Sequence, residues 1–285
     1  MRIWSAGCVA VLVTLAASAG WAGPGAVEIN QASVAAGGGF PRTIDQPGSY
    51  VLTSDLVVPT VNTTAISITA EGVTLDLGGF SIRGPVTCSG DGTTRGQNTA
   101  CSASGTGIGI AVDGGTAVIR NGFVRGMGGD GMSIYGDVSV LIERMVVEEN
   151  AGDGIDLHQG RLVDSAVRFN GGNGVEYCNC GGGGNNVIER NVVERNRGIG
   201  IQSGKGTVKE NYVFFNGAEG VRVAAAGSNG AYIAGNTIRQ NAGNAINASN
   251  GVYRDNLVTS NLLTSGHQVV GTVVDGGGNT CSPAC

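Results

Sequence analysis

The sequence predicts an all-β protein, a right-handed parallel β-helix with three short strands per coil in a single domain. A six-residue segment that begins and ends with Asn, such as Asn191-Val192-Val193-Glu194-Arg195-Asn196, recurs in strict or looser form along the chain. Gly, Asn and Asp turns separate short β-prone pieces between these segments. The closing residues of the segments are 20 to 26 positions apart, and they are Asn150, Asn170, Asn196, Asn216, Asn241 and Asn261.

Apolar residues keep fixed positions relative to this Asn. One column lies five residues after it, and it contains Ile155, Val175, Ile201, Val221 and Ile246. Two further columns precede it, Ile142, Leu162, Ile188, Val208 and Ile233, and Val147, Val167, Val193, Val213, Ile238 and Val258. The repeats lack the long amphipathic stretches of a helical solenoid and the Leu spacing of leucine-rich repeats. Parallel strands stacked about 4.8 Å apart explain the columns as continuous inward ladders.

Polar residues of the repeat have structural explanations. We expect each closing Asn to adopt a left-handed or bridge conformation at a corner, and its amide to bond to the coils on either side. Charges alternate in sign down two columns, Arg144, Asp164, Arg190 and Glu210, and Glu148, Arg168, Glu194 and, two coils later, Arg239. Opposite charges one coil apart favour the correct register. A carbohydrate-binding face is the alternative explanation of these columns.

Composition excludes several classes of protein. The 285 residues include 52 Gly, but without the three-residue period of collagen. Only 5% of residues are aromatic, so we expect a core of Val, Ile, Leu and Ala. The net charge of −5 and the lack of a basic stripe argue against a nucleic-acid partner.

The N-terminus predicts export. A basic start, a short apolar run from about Cys8 to Ala17 and small residues after it are typical of a signal peptide, which we assign to residues 1–22. The apolar run is shorter than the ~20 residues of a membrane span, so an anchor is the weaker alternative. No later segment predicts a span, and the mature chain is expected to be secreted, either periplasmic or extracellular.

The mature chain divides into three parts. Residues 23–60 are predicted to cap one end of the stack, residues 61–275 to form the β-helix, and residues 276–285 to form a stapled tail over the other end. Within the β-helix, the Gly/Ser/Thr-rich residues 85–104 predict a long disulfide-stapled loop that leaves the stack.

The remaining cysteines support an oxidising compartment. They fall into three local groups, Cys88 with Cys101, Cys178 with Cys180, and Cys281 with Cys285. Local spacing suggests three staples, although six cysteines allow 15 connectivities. The two cysteines at 178 and 180 need a turn between them to form a disulfide, and a metal site is their alternative.

The chain resembles bacterial secreted proteins with parallel β-helix repeats. The Asn segments and Gly-Ile/Val pairs of residues 150–261 carry most of the resemblance. Residues 47–56 and 73–79 look like the usual entry into such a helix, and residues 277–281 look like its exit. The resemblance covers about residues 45–280. The wider superfamily includes pectate lyases, polygalacturonases, alginate lyases and epimerases, so the resemblance implies a polysaccharide partner without choosing an activity.

One outward face gathers the candidate site residues. Its strand column reads Ser133, Asp156, Glu176, Gln202, Arg222 and Asn247. A second column, two residues further on, begins with Tyr135 and His158. We predict that Tyr135, Asp156, His158 and Glu176 form a cluster on three consecutive coils. The segment Asp156-Leu157-His158-Gln159 resembles the Asp-Pro-His-Asp site of mannuronan epimerases, with Leu157 in place of Pro and Gln159 in place of the second Asp.

Three functions remain open for this cluster. A lyase or epimerase acting on uronate sugars would use His158 as base and Tyr135 as acid, with Arg168 or Arg222 binding the sugar carboxylate. A hydrolase would use Asp156 and Glu176. A noncatalytic surface or binding protein would present the same residues as an ordinary solvated strand face.

No cofactor is predicted. Asp130, Asp137 and Asp153 offer oxygen ligands of the type that Ca²⁺ prefers, but they lie near Gly-rich turns and outside any calcium motif. We therefore interpret them as turn-forming residues.

Overall fold

The computed structural model describes residues 25–90, 95–136, 139–177, 185–223, 230–263 and 266–285. The chain forms a right-handed parallel β-helix, as the repeat predicted. The assigned signal peptide, Cys178 and Cys180 lie outside the described residues, so the leader and this cysteine pairing stay predictions.

Each coil contributes strands to three sheets along the axis of the solenoid. The first sheet contains Arg42–Ile44, Ile66–Ile68, Ile110–Asp113, Met132–Tyr135, Ile155–Leu157, Val175–Glu176, Ile201–Ser203, Val221–Val223, Ile246–Ala248 and Val269–Gly271. The second contains Ala26–Ile29, Gly48–Leu52, Val73–Asp76, Gly160–Val163, Asn185–Glu189, Lys205–Lys209, Ala231–Ala234, Gly251–Arg254 and Val274–Asp275. The third contains Leu56–Val57, Ser81–Arg83, Ala166–Arg168, Val192–Glu194, Tyr212–Phe214, Thr237–Arg239, Leu257–Thr259 and Thr280–Ser282.

Two longer strands, Thr116–Arg125 and Ser139–Glu148, turn the corner between the second and third sheets. Pairing is parallel and in register, with Ile155 opposite Val175 in the first sheet and Val167 opposite Val193 in the third. The three predicted apolar columns therefore point inward and are almost completely buried. The core is aliphatic, as the low aromatic content indicated.

Asn side chains form two amide ladders, one at each end of the third-sheet strands. Asn196 illustrates the geometry, because its Nδ2 donates to Oδ1 of Asn216 at 3.0 Å and to the Val167 carbonyl at 3.1 Å. The first ladder contains Asn150, Asn170, Asn196, Asn216, Asn241 and Asn261. The second contains Asn191, Asn211, Asn236, Asn256 and Asn279. These ladders confirm the predicted amide bonding between coils.

The ladder Asn residues do not take the left-handed conformation, which was one of the two predicted for them. The left-handed residue is the one immediately before each Asn of the first ladder, such as Phe169 at φ 55° and Arg195 at φ 54°. The Asn side chain must point into the corner to reach the next coil, so the preceding residue takes the sharp bend. Its own side chain is then directed outwards, which explains why charged and aromatic residues occupy this position.

Strands at both ends of the chain join the stack. Within the region predicted as a cap, Ala26–Ile29 pairs with Gly48–Leu52, which in turn pairs with Val73–Asp76. A short helix, Gln31–Ala36, is capped by Asn30 and inserts Val34 into the core. At the other end, Thr280–Ser282 pairs with the third sheet.

The C-terminal tail is stapled as predicted, by a disulfide between Cys281 and Cys285. Gln268 closes the end of the first amide ladder. Its Oε1 accepts from Asn261 at 2.9 Å, and its Nε2 donates to the Ser282 carbonyl at 3.0 Å. The last buried amide of the ladder is therefore hydrogen-bonded without a further coil.

Residues 86–104, which we call the clasp loop, contain the predicted Cys88–Cys101 disulfide. The two cysteines lie opposite each other on short antiparallel strands, Cys88–Ser89 and Ala100–Cys101. Between these strands, a 3-10 turn lies at Gly96–Asn98. As predicted, the loop leaves the stacked parallel sheets, but it then lies against the side of the stack.

Hydrogen bonds hold the clasp loop along the corner of the first amide ladder. Arg95 donates to the carbonyls of Asn241 and Ser260, both at 3.0 Å. The Gly96 N–H donates to the Phe215 carbonyl, and Thr99 Oγ1 to the Arg195 carbonyl. Backbone carbonyls at a tight corner need donors, and the loop supplies them.

In the described part of the chain, no helix combines the length and apolarity needed to cross a bilayer.

Candidate functional site

The first sheet aligns the predicted site column across consecutive coils. Ser133 lies opposite Asp156, and Asp156 lies opposite Glu176. The same row continues with Gln202 opposite Arg222. Neighbours in such a row have Cβ atoms about 5 Å apart, so the structure brings Asp156 and Glu176 together.

Glu176 is the centre of this row. Its Oε2 accepts from Asn173 Nδ2 and its Oε1 accepts from Gln202 Nε2, both at 2.5 Å. Burial and the nearby charges of Asp153 and Asp156 raise the pKa of Glu176 to about 7, against the lowering effect of Asn173 and Arg222. At neutral pH this side chain is therefore poised to exchange a proton.

A second row of acidic and amide side chains lines the turn before each first-sheet strand. Asp130 Oδ1 accepts the Asp153 N–H at 2.8 Å, Asp153 Oδ1 accepts the Asn173 N–H at 2.5 Å, and Asn173 Oδ1 accepts the Ile199 N–H at 2.6 Å. These bonds support the interpretation of Asp130 and Asp153 as turn-forming residues.

The turn row also affects the electrostatics of the site. Burial and the charge of Asp130 raise the pKa of Asp153 to about 6, and burial raises the pKa of Asp130. We call Asp130, Asp153, Asp156 and Glu176 the acidic row. Burial makes three of these carboxyl groups, Asp130, Asp153 and Glu176, reluctant to ionise.

His158 and Tyr135 take different environments. Tyr135 is 47% exposed, whereas His158 is 5% exposed just beyond the end of its strand. The His158 ring donates from Nδ1 to the Gly136 carbonyl at 2.9 Å and lies parallel to the Tyr177 ring, with centroids 6.0 Å apart. A Cβ at position 204 would lie 2.8 Å from that tyrosine ring, so Gly204 makes room for it. This setting is typical of a structural histidine.

The two predicted arginines do not converge on the cluster. Arg168 lies on the third sheet, where its Nε donates to Glu148 at 2.9 Å. Arg222 shares the first sheet with Glu176, but its guanidinium donates to both oxygens of Glu219 at 2.7 Å. Burial opposes the ionisation of Glu219, yet hydrogen bonds from Arg222, the backbone and Asn247 leave its pKa lowered.

Sequence reasoning missed the contribution of Asp153, Asn173 and Glu219 to the site. Each of them immediately precedes the Gly of a Gly-Ile/Val pair, and Asp130 holds the equivalent position before Gly131-Met132. That fixed position was the available signal, since every coil repeats the same turn. Among the described residues, no group of three or more His, Cys, Asp or Glu side chains has the arrangement of a metal site.

Residues 106–263, more than half of the chain, match the family model for the right handed beta helix region. The chain belongs to this family. No curated protein matches it significantly.

Solved structures of similar fold come from several enzymes. The A-module of the Azotobacter vinelandii mannuronan C-5 epimerase AlgE4 is 15% identical, with a TM-score of 0.51 over 88% of this chain and 82% of that chain. Pectate lyase Pel9A is 14% identical, with a TM-score of 0.46 over 85% and 74%. The catalytic domain of a GH87 alpha-1,3-glucanase is 13% identical, with a TM-score of 0.34 over 90% and 63%. At such identities the likeness shows the fold alone.

Proposed function

We propose that this protein acts on a polysaccharide at the acidic row of the first sheet, as a glycoside hydrolase that uses Glu176 and Asp156. The observation that carries the proposal is the pair of Glu176 and Asp156, which lie opposite each other on adjacent coils. The pKa of Glu176 is raised to about 7. The fold is compatible with this proposal, because the similar structures named above include enzymes whose names identify polysaccharide substrates.

Glycoside hydrolysis fits the chemistry of this pair. One carboxyl group donates its proton to the leaving glycosidic oxygen, and the other assists attack at the anomeric carbon, with water completing the cleavage. Glu176 suits the proton donor, since a raised pKa keeps it partly protonated at neutral pH. Asp156 suits the second role. Ser133 supplies a hydroxyl beside Asp156, and its buried Oγ makes no hydrogen bond within the described residues.

Uronate lyase or epimerase chemistry is the less favoured alternative. It needs a base at the sugar C5 and a cation for the sugar carboxylate. His158 is buried with Nδ1 bonded to a backbone carbonyl, and Arg222 is already paired with Glu219.

A noncatalytic role is the second candidate. It is favoured by the amide bonds on both oxygens of Glu176 and by the backbone bonds of Asp130 and Asp153. These contacts would also serve to hold successive coils in register. The two candidates differ in whether substitution of Glu176 removes an activity or only alters stability.

The test is a panel of neutral and acidic polysaccharides incubated with the purified protein. Released reducing ends report hydrolysis, and absorbance of unsaturated products reports lyase activity. We expect reducing ends from at least one polymer, lost in Glu176→Gln and Asp156→Asn. Glu189→Gln is the matched control, because Glu189 bonds to Arg190 and Lys209 on the second sheet. Absence of both products with every polymer would contradict the proposal and favour the noncatalytic role.

A further inference from the structure

The third sheet carries a row of charges that is interrupted at one coil. Its members face each other in register across successive strands, and they are Arg125, Glu148, Arg168, Glu194, Phe214, Arg239 and Thr259. Signs alternate along the first four. Phe214 then occupies the position where the alternation predicts a cation, and Arg239 occupies the next position, where it predicts a carboxylate.

The earlier arginines of this face have carboxylate partners. Glu148 accepts from Arg168 at 2.9 Å and lies 3.6 Å from Arg125, and Glu194 pairs with Arg195. Arg239 lies between Phe214 and Thr259 and makes no ion pair within the described residues. Its Nε is buried and makes no hydrogen bond there. A partly buried guanidinium with an unused N–H calls for an anion.

Aromatic rings surround this guanidinium. Arg239 lies 5.0 Å from the Tyr212 ring centroid and 5.7 Å from that of Phe214, and the two rings are 4.5 Å apart. Phe215 and Phe169 extend the cluster around Arg195. The chain has only six Phe and six Tyr, yet five of these twelve lie on this outer face, because Phe123 shares the outward column of Tyr212. Their packing is not required by the aliphatic core, so a role in binding is the better explanation.

The apolar surface continues along the solenoid axis. Val192 is 38% exposed and Leu257 is 44% exposed, and both share the outward column of Tyr212. Because parallel coils repeat about every 4.8 Å, this column forms a straight strip on rigid strands. The clasp loop runs along the neighbouring corner through its bonds to Phe215 and Arg195. A strip of this shape suits an extended polymer.

We propose that Arg239, Tyr212 and Phe214 bind a carboxylate-bearing sugar of an acidic polysaccharide. The guanidinium pairs with the sugar carboxylate, and the C–H face of the sugar ring packs on the aromatic side chains. The strip through Val192 and Leu257 accommodates the neighbouring sugars. This site lies on a different sheet from the acidic row and anchors the polymer without taking part in its cleavage. It rests on the proposed function only in that the ligand is a polysaccharide.

The experiment compares binding of polygalacturonate with binding of its fully methyl-esterified form, which has the same backbone without the charges. Affinity electrophoresis or calorimetry at low and high salt measures both. Wild-type protein should prefer the charged polymer, and salt should weaken that binding. Arg239→Gln should weaken it by about tenfold or more, since one charge-assisted contact is lost. Tyr212→Ala should weaken binding of both forms.

Two controls match the test substitutions. Arg190→Gln removes an exposed arginine that already pairs with Asp164, and Tyr232→Ala removes a 42% exposed tyrosine of the second sheet. Both should bind as wild type does. Equal binding of charged and esterified polymers, absence of binding, or an Arg239→Gln variant that binds normally would each overturn the proposal. Glu176→Gln should keep the binding while losing hydrolysis, so this site and the acidic row can fail separately.

Discussion

The amide ladders and the acidic row both join one coil to the next, but with different chemistry. An Asn amide donates and accepts, so Asn170, Asn196 and Asn216 can stack while completely buried and uncharged. A carboxylate only accepts. Asp130 and Asp153 therefore receive a backbone N–H from the next coil but cannot bond to each other, and their charges add up along the stack.

Stacked carboxyl groups disfavour their own ionised form, and the raised pKa values of Asp153 and Glu176 reflect this. Asn173 occupies the same turn position one coil later and makes the same backbone bond without a charge. Amide side chains at these positions would thus hold successive coils in register as well as carboxyl groups do. The carboxyl groups on this face are better explained by a function that uses protons.

The largest effect is expected from breaking an amide ladder in its middle. Asn196→Ala removes the acceptor of two Asn170 donors. It also removes the Nδ2 donor to the Val167 carbonyl and to Asn216 Oδ1, which keeps only the Asn196 backbone N–H. Each buried polar atom left unpaired costs about 1–3 kcal/mol, so the free energy of unfolding should fall by about 3 kcal/mol or more. Chemical denaturation measures it. Asn261→Ala, at the end of the ladder, should cost less, and equal costs would argue against a continuous ladder.

Replacing one carboxyl group of the acidic row by an amide should instead raise the free energy of unfolding. Asp153→Asn retains an acceptor for the Asn173 N–H while removing a buried charge. Because the pKa of Asp153 is raised from 3.8 to about 6, ionisation destabilises the fold as pH rises through this window. The variant should be more stable than wild type by about 3 kcal/mol at pH 8, and equally stable at pH 3.

Thermal unfolding at both pH values checks this prediction. Asp164→Asn is the control, because Arg190 holds the pKa of Asp164 below its ordinary value. That substitution should destabilise the protein only slightly above about pH 4, because the pair is exposed. A destabilised Asp153→Asn at pH 8 would show that the charge itself has a structural partner.

In the same Asp153→Asn variant, the pKa of Glu176 should fall, which is a smaller effect. The negative charge of Asp153 is one cause of the raised pKa of Glu176, after burial. Its removal should shift the titration of Glu176 below pH 7, as measured by the side-chain carboxyl resonance or by the pH profile of any hydrolysis. An unchanged titration would mean that the charge of Asp153 does not contribute to this pKa.

The smallest effect on stability is expected from removing an exposed ion pair of the charged columns. Arg190 donates to both oxygens of Asp164 at 2.8 and 3.1 Å, in the column of alternating charge. Exposed pairs contribute little to stability, so Arg190→Gln should hardly move the midpoint of thermal unfolding. A marked loss would instead make the charged columns comparable with the amide ladders as determinants of register.

The repeat in the sequence was sufficient to predict the fold because each apolar residue lies at a fixed distance from its Asn. Register followed as well, and it placed Ser133, Asp156 and Glu176 in one row before any coordinates were known. Periodicity determines such neighbours, since residues at equivalent positions of successive coils must lie opposite each other.

The exposure of outward side chains and the path of the loop outside the coils could not be predicted from the repeat. His158 and Tyr135 share an outward column, but burial against Tyr177 removes the histidine from solvent while the tyrosine stays exposed. Arg168 and Glu176 are both outward residues of neighbouring coils, yet they face different sides of the solenoid. The path of the clasp loop has no periodicity, so nothing in the pattern indicated where it would lie.

The clasp loop changes how such a protein can be assembled. In a simple solenoid each coil contacts only its neighbours, and coils could order one after another during synthesis. Here Arg95 bonds to carbonyls at positions 241 and 260, which emerge from the ribosome roughly 150 residues later. The early loop therefore cannot reach its final place until the chain has been made beyond Ser260. A protein truncated before Asn241 should retain stacked coils but leave this loop without its distant partners.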